Sequence, residues 1–224
     1  MSKERRYELK FVAPEQLYPH LRHWLHLHDM AFKIAYPLRQ INNVYWDTAD
    51  FDSFQDHILG AIERVKLRYR WYGSGWDSAD SRLEIKAKHG LITEKQIYSM
   101  QLALAKDARW ATVYRQMRGA LPQAARLWIL RRPQAALLSH YQREYFVCAS
   151  GIRVTLDRGL RCYDQRYRAD VNLLKRSFVP DVMVLEVKCT PEQYPVAQAF
   201  LKTMPLRAER YSKYMMGLRS LISY

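Results

Sequence analysis

The stretch Glu63-Arg64-Val65-Lys66-Leu67-Arg68-Tyr69-Arg70-Trp71-Tyr72 alternates cationic with apolar side chains. A period of two with β-branched and aromatic residues predicts a β-strand. Side chains two residues apart share one face of a strand, at a spacing of about 6.6–6.8 Å. Such a row of cations suits a polyanion with repeating charges, such as a chain of phosphates. The four cations of the row are Arg64, Lys66, Arg68 and Arg70.

A solvated outer face of an edge strand is the simpler alternative for this row, because charges discourage edge-to-edge aggregation. One or two charges are enough for that purpose. Four neighbouring cations without a carboxylate between them repel one another unless an anion is present. The row therefore favours an anion site.

The composition points to an acidic partner. The chain has 224 residues with 36 Lys and Arg against 22 Asp and Glu, a formal net charge of +14. We predict one domain over residues 1–224. Its three cysteines are far apart and odd in number, which fits a reducing compartment. The charged N-terminus and the lack of a stretch of about 20 apolar residues predict a soluble, cytoplasmic protein.

Three predicted strands share one local formula: Glu8-Leu9-Lys10, Glu84-Ile85-Lys86 and Glu186-Val187-Lys188. Each places ionisable side chains on one face and apolar side chains on the other. Too many strands carry this pattern for an ordinary surface. We therefore predict an α+β fold, a closed antiparallel β-barrel with the charges in its lumen and helices packed outside. Closure would also remove the sheet edges.

Two longer segments are predicted from spacing and composition. Apolar residues from Leu102 to Met117 predict a helix over residues 99–120. Residues 159–180 are polar and aromatic without a clear period, which indicates a loop or a hairpin insertion.

The two signs of charge suggest different tasks. Arg binds phosphate oxygens as a bidentate fork and Lys as a point charge. Carboxylates among so many cations are either local counterions or ligands of Mg²⁺ or Mn²⁺, which take oxygen ligands. Glu186 is the strongest metal candidate, because an idle charge in its otherwise apolar strand would be costly. Glu8 and Glu84 are secondary candidates.

Eight short motifs follow one another along the chain. They are Arg6-Tyr7-Glu8-Leu9-Lys10-Phe11, Asn43-Val44-Tyr45-Trp46-Asp47-Thr48, Arg64-Val65-Lys66-Leu67-Arg68-Tyr69-Arg70, Leu83-Glu84-Ile85-Lys86, Tyr141-Gln142-Arg143, Arg153-Val154-Thr155-Leu156-Asp157, Leu185-Glu186-Val187-Lys188 and Ser212-Lys213-Tyr214. In this order the motifs, individually weak, resemble the VTC domain family of the triphosphate tunnel metalloenzyme (CYTH-like) superfamily. The resemblance spans residues 5 to about 216.

The resemblance implies an antiparallel β-tunnel that binds ATP, triphosphate or polyphosphate together with Mn²⁺ or Mg²⁺. It implies synthesis of inorganic polyphosphate from ATP, with Glu186 as the metal ligand. We predict as catalytic the basic residues Lys10, Arg68, Arg70, Lys86, Arg143, Arg153 and Lys188. We predict as further substrate contacts Arg6, Arg64, Lys66, Lys88, Lys95 and Lys213.

Two alternatives stay open at this point: a triphosphatase of the same superfamily, and a non-catalytic binder of polyphosphate or another anionic polymer. Arg6 stands where the wider superfamily has the first Glu of a Glu-x-Glu-x-Lys opening, which argues against a simple two-metal triphosphatase. Nucleic-acid binding is not expected, because Tyr69 and Trp71 would lie on the face opposite the cations. A membrane partner protein is compatible with the sequence, and the oligomeric state is left open.

Overall fold

A computed structural model of the chain describes residues 6–76, 80–90, 92–102 and 104–222. A short 3₁₀ helix, Glu15–Leu17, precedes α1. The strands are β1 (Tyr7–Pro14), β2 (Lys33–Asp47), β3 (Glu63–Tyr72), β4 (Ser81–His89), β5 (Ile92–Ser99), β6 (Gln134–Val147), β7 (Arg153–Asp164), β8 (Arg176–Ser177) and β9 (Val182–Cys189). The helices are α1 (Tyr18–Leu27), α2 (Asp52–Ile58), α3 (Trp110–Ala120), α4 (Gln123–Arg131), α5 (Tyr194–Lys202) and α6 (Lys213–Ile222).

Within the residues that the structure describes, the strands belong to one nine-stranded sheet in the order β1-β9-β7-β6-β2-β3-β4-β5, with β8 paired to β7 beside this path. The predicted closed barrel is wrong, because in the described part of the chain no ladder joins β1 to β5. A barrel needs two neighbours for every strand. The alternation of charged and apolar residues specifies which side chains share a face, but it carries no information on whether the two outer strands meet.

The chain divides into two compact units. Within the described residues, the first unit comprises 6–39, 141–160 and 180–212, and the second comprises 40–140, 161–179 and 213–222. The single domain expected from the sequence stays a prediction.

The first unit buries the apolar face of β1, β7 and β9. Phe11 lies opposite Leu185 in the β1–β9 ladder, and Leu156 lies opposite Leu185 in the β7–β9 ladder. These side chains form one cluster with Leu25 of α1 and Phe200 of α5. Burying such a side chain contributes about 1.5–3 kcal/mol. The helices therefore cover the apolar face, and the charged residues of the same strands lie on the other.

The second unit repeats this arrangement around β3 and β4. The predicted strand 63–72 is confirmed as β3, and its residues Tyr69 and Trp71 are buried. They pack in one cluster with Ile85 of β4, Met117 of α3 and Ile129 of α4. Because Tyr69 and Trp71 belong to this core, they are not available to stack on nucleic-acid bases.

The helix predicted over residues 99–120 is shorter than expected. Helix α3 begins only at Trp110, and a further helix, α4, follows it. For the segment 159–180, the hairpin alternative is confirmed, because β7 continues to Asp164 and pairs antiparallel with β8. Within the described ranges, no helix combines the length and the apolar character needed to cross a bilayer.

Candidate functional site

One buried carboxylate, Glu84 of β4, is surrounded by cations from three strands of the second unit. Arg68 lies opposite it in the β3–β4 ladder and reaches its Oε2 with Nη2 at 2.5 Å. Arg82 Nε and Lys95 Nζ lie 3.1 and 3.2 Å from its Oε1. Arg70 Nη1 lies 3.7 Å from the same oxygen. We call these five side chains the Glu84 cluster.

Electrostatics keeps Glu84 ionised. Its burial would raise the pKa of the carboxyl, but Arg68, Arg70 and Lys95 outweigh that effect and hold the pKa far below its ordinary 4.5. Burial lowers the pKa of Lys95, partly offset by Glu84. The cluster therefore has four cations around a single carboxylate, an excess of positive charge suited to an anion.

Arg70 is held by a buried polar chain that the sequence analysis missed. Its side chain is 7% exposed, and its Nε donates to Oδ1 of Asn43 at 2.8 Å. Asn43 Nδ2 donates in turn to Ser139 Oγ at 3.3 Å. The sequence signal for this chain was a polar residue, Asn43, inside the stretch 41–47, which the structure shows to be buried. A guanidinium fixed by its Nε presents its terminal nitrogens in a defined direction.

Arg82 was also missed, although it stands two residues before Glu84 and shares its face of β4. Its Nη2 bonds to the hydroxyl of Tyr72, and its guanidinium lies 5.0 Å from the centre of the Tyr72 ring. These contacts, together with the bond to Glu84, fix the direction of the guanidinium.

Like charges lie directly opposite one another across the strands of the second unit. Such cross-strand pairs are destabilising unless an anion or another group compensates them. They extend the positive face of the Glu84 cluster along β3 and β4, and they include the predicted contacts on these strands. The pairs are Arg64 with Lys88, Lys66 with Lys86, Arg70 with Arg82, and Lys86 with Lys95.

A second group of charges lies on β1, β6, β7 and β9 of the first unit. Glu186 Oε1 is 2.5 Å from Lys188 Nζ, and Glu8 Oε1 is 3.0 Å from Lys10 Nζ. Arg143 donates to both oxygens of Asp157, with Nε at 2.5 Å and Nη2 at 2.6 Å. We call the set the Glu186 cluster; its members are Glu8, Lys10, Arg143, Asp157, Glu186 and Lys188.

The Glu186 carboxyl is ionised as well. Burial would raise its pKa, but Lys188, Arg143 and Lys10 hold it well below 4.5. For Arg143, burial would lower the pKa of the guanidinium, and Asp157 more than reverses that effect. Three cations face three carboxylates in this cluster, so its formal charge is balanced.

The donor set of the Glu186 cluster fits a divalent ion. Mg²⁺ is usually held by one or two carboxylates together with substrate phosphates and water. Glu8 lies opposite Lys188 and Glu186 lies opposite Lys10, so the two glutamates are diagonal neighbours on β1 and β9. Nowhere in the described ranges do three or more His, Cys, Asp or Glu side chains gather into a metal-binding group. A metal here would depend on oxygens from a bound phosphate.

The remaining predicted residues, Arg6, Arg153 and Lys213, take two positions. Arg6, Arg153 and Lys188 line a small cavity of about 160 Å³ in the first unit, next to Thr190 and Gln193. Lys213 is the first residue of α6 in the second unit. Three predicted contacts therefore converge in one cavity, and Lys213 belongs to a helix terminus.

Residues 5–222 match the model of the VTC domain, and the chain therefore belongs to the VTC domain family. The resemblance seen in the eight motifs is confirmed by this match. No match was found among curated proteins.

The solved structures to which this chain is similar are distant in sequence. A proposed adenylate cyclase from Vibrio parahaemolyticus is 12% identical with a TM-score of 0.51, over 100% of both chains. The PH1819 protein from Pyrococcus horikoshii OT3 is 14% identical with a TM-score of 0.47, over 97% of this chain and 99% of the other. The inorganic triphosphatase NE1496 is 16% identical with a TM-score of 0.37, over 96% and 95%. The first of these likenesses shows a shared fold and nothing about activity.

Proposed function

We propose that this VTC-domain protein is a metal-dependent phosphotransferase that moves the γ-phosphate of ATP onto inorganic polyphosphate. The observation that carries the proposal is the Glu84 cluster, in which four cations surround one buried carboxylate. A surface with this charge needs a multivalent anion. The resemblance of the motifs to the VTC domain family implies phosphate chains as the anion, and membership of that family supports testing them first.

The arginines and lysines act by binding and orienting phosphate groups. Arg68 and Arg70 present planar guanidinium groups that match the geometry of phosphate oxygens. Glu84 and Asn43 hold these groups in place before the substrate arrives, so little reorganisation is needed when it binds. No protein nucleophile is required, because phosphoryl transfer depends mainly on positioning and on charge stabilisation.

The metal is assigned to the Glu186 cluster, because this is where carboxylates balance the cations. Glu186 would hold the ion, with Glu8 as the second ligand. A bound Mn²⁺ or Mg²⁺ would neutralise charge on the phosphate oxygens. Glu84 also stays a predicted metal ligand, but its four cationic neighbours favour a role as their counterion.

The test is an incubation of the protein with ATP and Mn²⁺, followed by gel electrophoresis with a phosphate stain and by measurement of ADP. The proposal predicts ADP together with a polymer. The matched control is Glu186→Gln, which keeps the size of the side chain and removes its charge.

Each other outcome identifies a different function. ADP and free phosphate without polymer would indicate a triphosphatase. Salt-sensitive binding of polyphosphate without metal-dependent turnover, unchanged in Glu186→Gln, would indicate a binder. The lysine partners of Glu8 and Glu186 favour the binder as the second candidate, since they already neutralise both carboxylates.

A further inference from the structure

Thr155 of β7 carries a buried hydroxyl on the charged face of the first unit. The residue is 7% exposed, and its Oγ1 makes no hydrogen bond to any residue that the structure describes. In the β7–β9 ladder Thr155 lies directly opposite Glu186. Its side chain therefore lies on the charged face, between Arg153 and Asp157 along the same strand.

The neighbouring charges have partners of their own. Asp157 accepts two bonds from Arg143, and Glu186 is paired with Lys188. A buried hydroxyl that bonds to nothing destabilises a folded protein, since it has given up its hydrogen bonds to water. Val fits a strand as well as Thr does, with nearly the same shape and no such cost. Packing alone therefore does not explain a hydroxyl at this position.

We propose that the Thr155 hydroxyl donates a hydrogen bond to a phosphate oxygen of the substrate bound at the Glu186 cluster. This inference rests on the proposed function and adds a substrate-binding residue that the sequence analysis did not select. Phosphate oxygens accept several hydrogen bonds, and a hydroxyl supplies one without adding charge. In a cluster of balanced charge, such a donor strengthens phosphate binding and leaves the metal ligands ionised.

The experiment compares Thr155→Val, which removes the hydroxyl at constant shape, with Thr155→Ser, which keeps it. Binding of polyphosphate of defined length, with Mg²⁺ present, is measured by isothermal titration calorimetry at several salt concentrations. We expect Thr155→Val to weaken binding by about tenfold, the usual effect of losing one hydrogen bond to a charged group. Thr155→Ser is expected to bind about as well as the wild type.

The salt dependence separates a neutral donor from a charged contact. For linear polyanions, the slope of log K against log salt falls by roughly one for each cationic contact that is lost. We expect Arg153→Gln to reduce the slope in this way and Thr155→Val to leave it unchanged. A changed slope in Thr155→Val would mean that the substitution disturbs the neighbouring cations, and it would overturn the inference.

The other outcomes are equally decisive. Equal binding by Thr155→Val and the wild type would overturn the inference and leave the proposed function intact. Equal losses in the Val and Ser variants would indicate packing and overturn it as well. A wild-type protein that does not bind polyphosphate would refute both proposals. If Thr155→Val does not fold, a crystal structure of the wild type with tripolyphosphate decides the matter: an Oγ1 to phosphate oxygen distance beyond hydrogen-bond range would refute the contact.

Discussion

The two charged clusters are built on the same local formula and yet differ in their balance of charge. Glu84-Ile85-Lys86 and Glu186-Val187-Lys188 both place a glutamate and a lysine on one face of a strand. Glu84 is surrounded by Arg68, Arg70, Arg82 and Lys95. Glu186 bonds to the lysine of its own motif, in a cluster that also holds Glu8 and Asp157.

The comparison shows that neighbouring strands, more than the motif, decide the role of a carboxylate. With four cations and one carboxylate, the Glu84 cluster is suited to anions. With three of each, the Glu186 cluster is suited to a metal ion and a phosphate together.

The largest effect is expected for Glu84→Ala. Removing the Glu84 carboxylate takes away the counterion that the four cations share, including the buried Arg70, and breaking a buried ion pair in this way costs about 3–5 kcal/mol. The free energy of unfolding, measured by urea denaturation, should fall by that amount. The control is Glu63→Gln, since the Glu63 side chain is 78% exposed and should change stability by less than about 0.5 kcal/mol. A loss below about 1 kcal/mol for Glu84→Ala would show that Glu84 does not organise its neighbours.

Glu186→Gln should affect turnover more than binding. If Glu186 holds the metal, metal-dependent turnover of ATP should fall by at least roughly 100-fold, while phosphate affinity is largely kept. Enzyme assays over a range of Mn²⁺ concentrations, together with calorimetry, measure the two quantities separately. Unchanged turnover would show that Glu186 does not hold the metal. The two clusters would then have the same role.

Asn43→Ala tests whether phosphate binding by Arg70 depends on the hydrogen bond from Arg70 Nε to Asn43. The substitution leaves the Arg70 Nε without its bond to Asn43, and we expect tripolyphosphate to bind about three- to tenfold more weakly. Calorimetry at fixed salt provides the measurement, and Asn42→Ala is the neighbouring control because Asn42 bonds to the carbonyl of Gly73. An equal loss in both variants would indicate a general disturbance of β2.

The smallest effect is expected from the titration of Lys95. Its pKa is lowered by burial, so it loses its proton at a lower pH than an ordinary lysine. Its protonated form binds anions, so the affinity for tripolyphosphate should decline by about two- to fivefold as the pH rises through this lowered pKa. In Lys95→Arg the charge persists at alkaline pH, and this part of the decline should disappear. A decline of the same size in both proteins would assign it to other groups.

The pattern of alternation was sufficient to predict the strand 63–72 and the side chains that share its faces. It could not predict that the sheet stays open, because closure depends on whether β1 and β5 meet. It also could not predict the pairing register that brings Arg68 of β3 and Lys95 of β5 to Glu84. Such contacts link residues that the sequence alone does not place side by side.

The segment before α3 is another place where contacts between distant residues could not be predicted from the sequence. The predicted helix included Leu102 and Leu104, and both are buried. The helix nevertheless begins only at Trp110, where Arg109 forms a bridge with Asp170 and Trp110 N donates to the carbonyl of Ala169 at 2.9 Å. Partners about sixty residues away decide where the helix begins.

The most direct test of the contrast is a crystal structure of the protein with Mn²⁺ and tripolyphosphate, in which anomalous scattering locates the manganese. We expect manganese at the Glu186 carboxylate and phosphate groups bonded to Arg68 and Arg70. Manganese at Glu84, or phosphate density absent from both clusters, would contradict it.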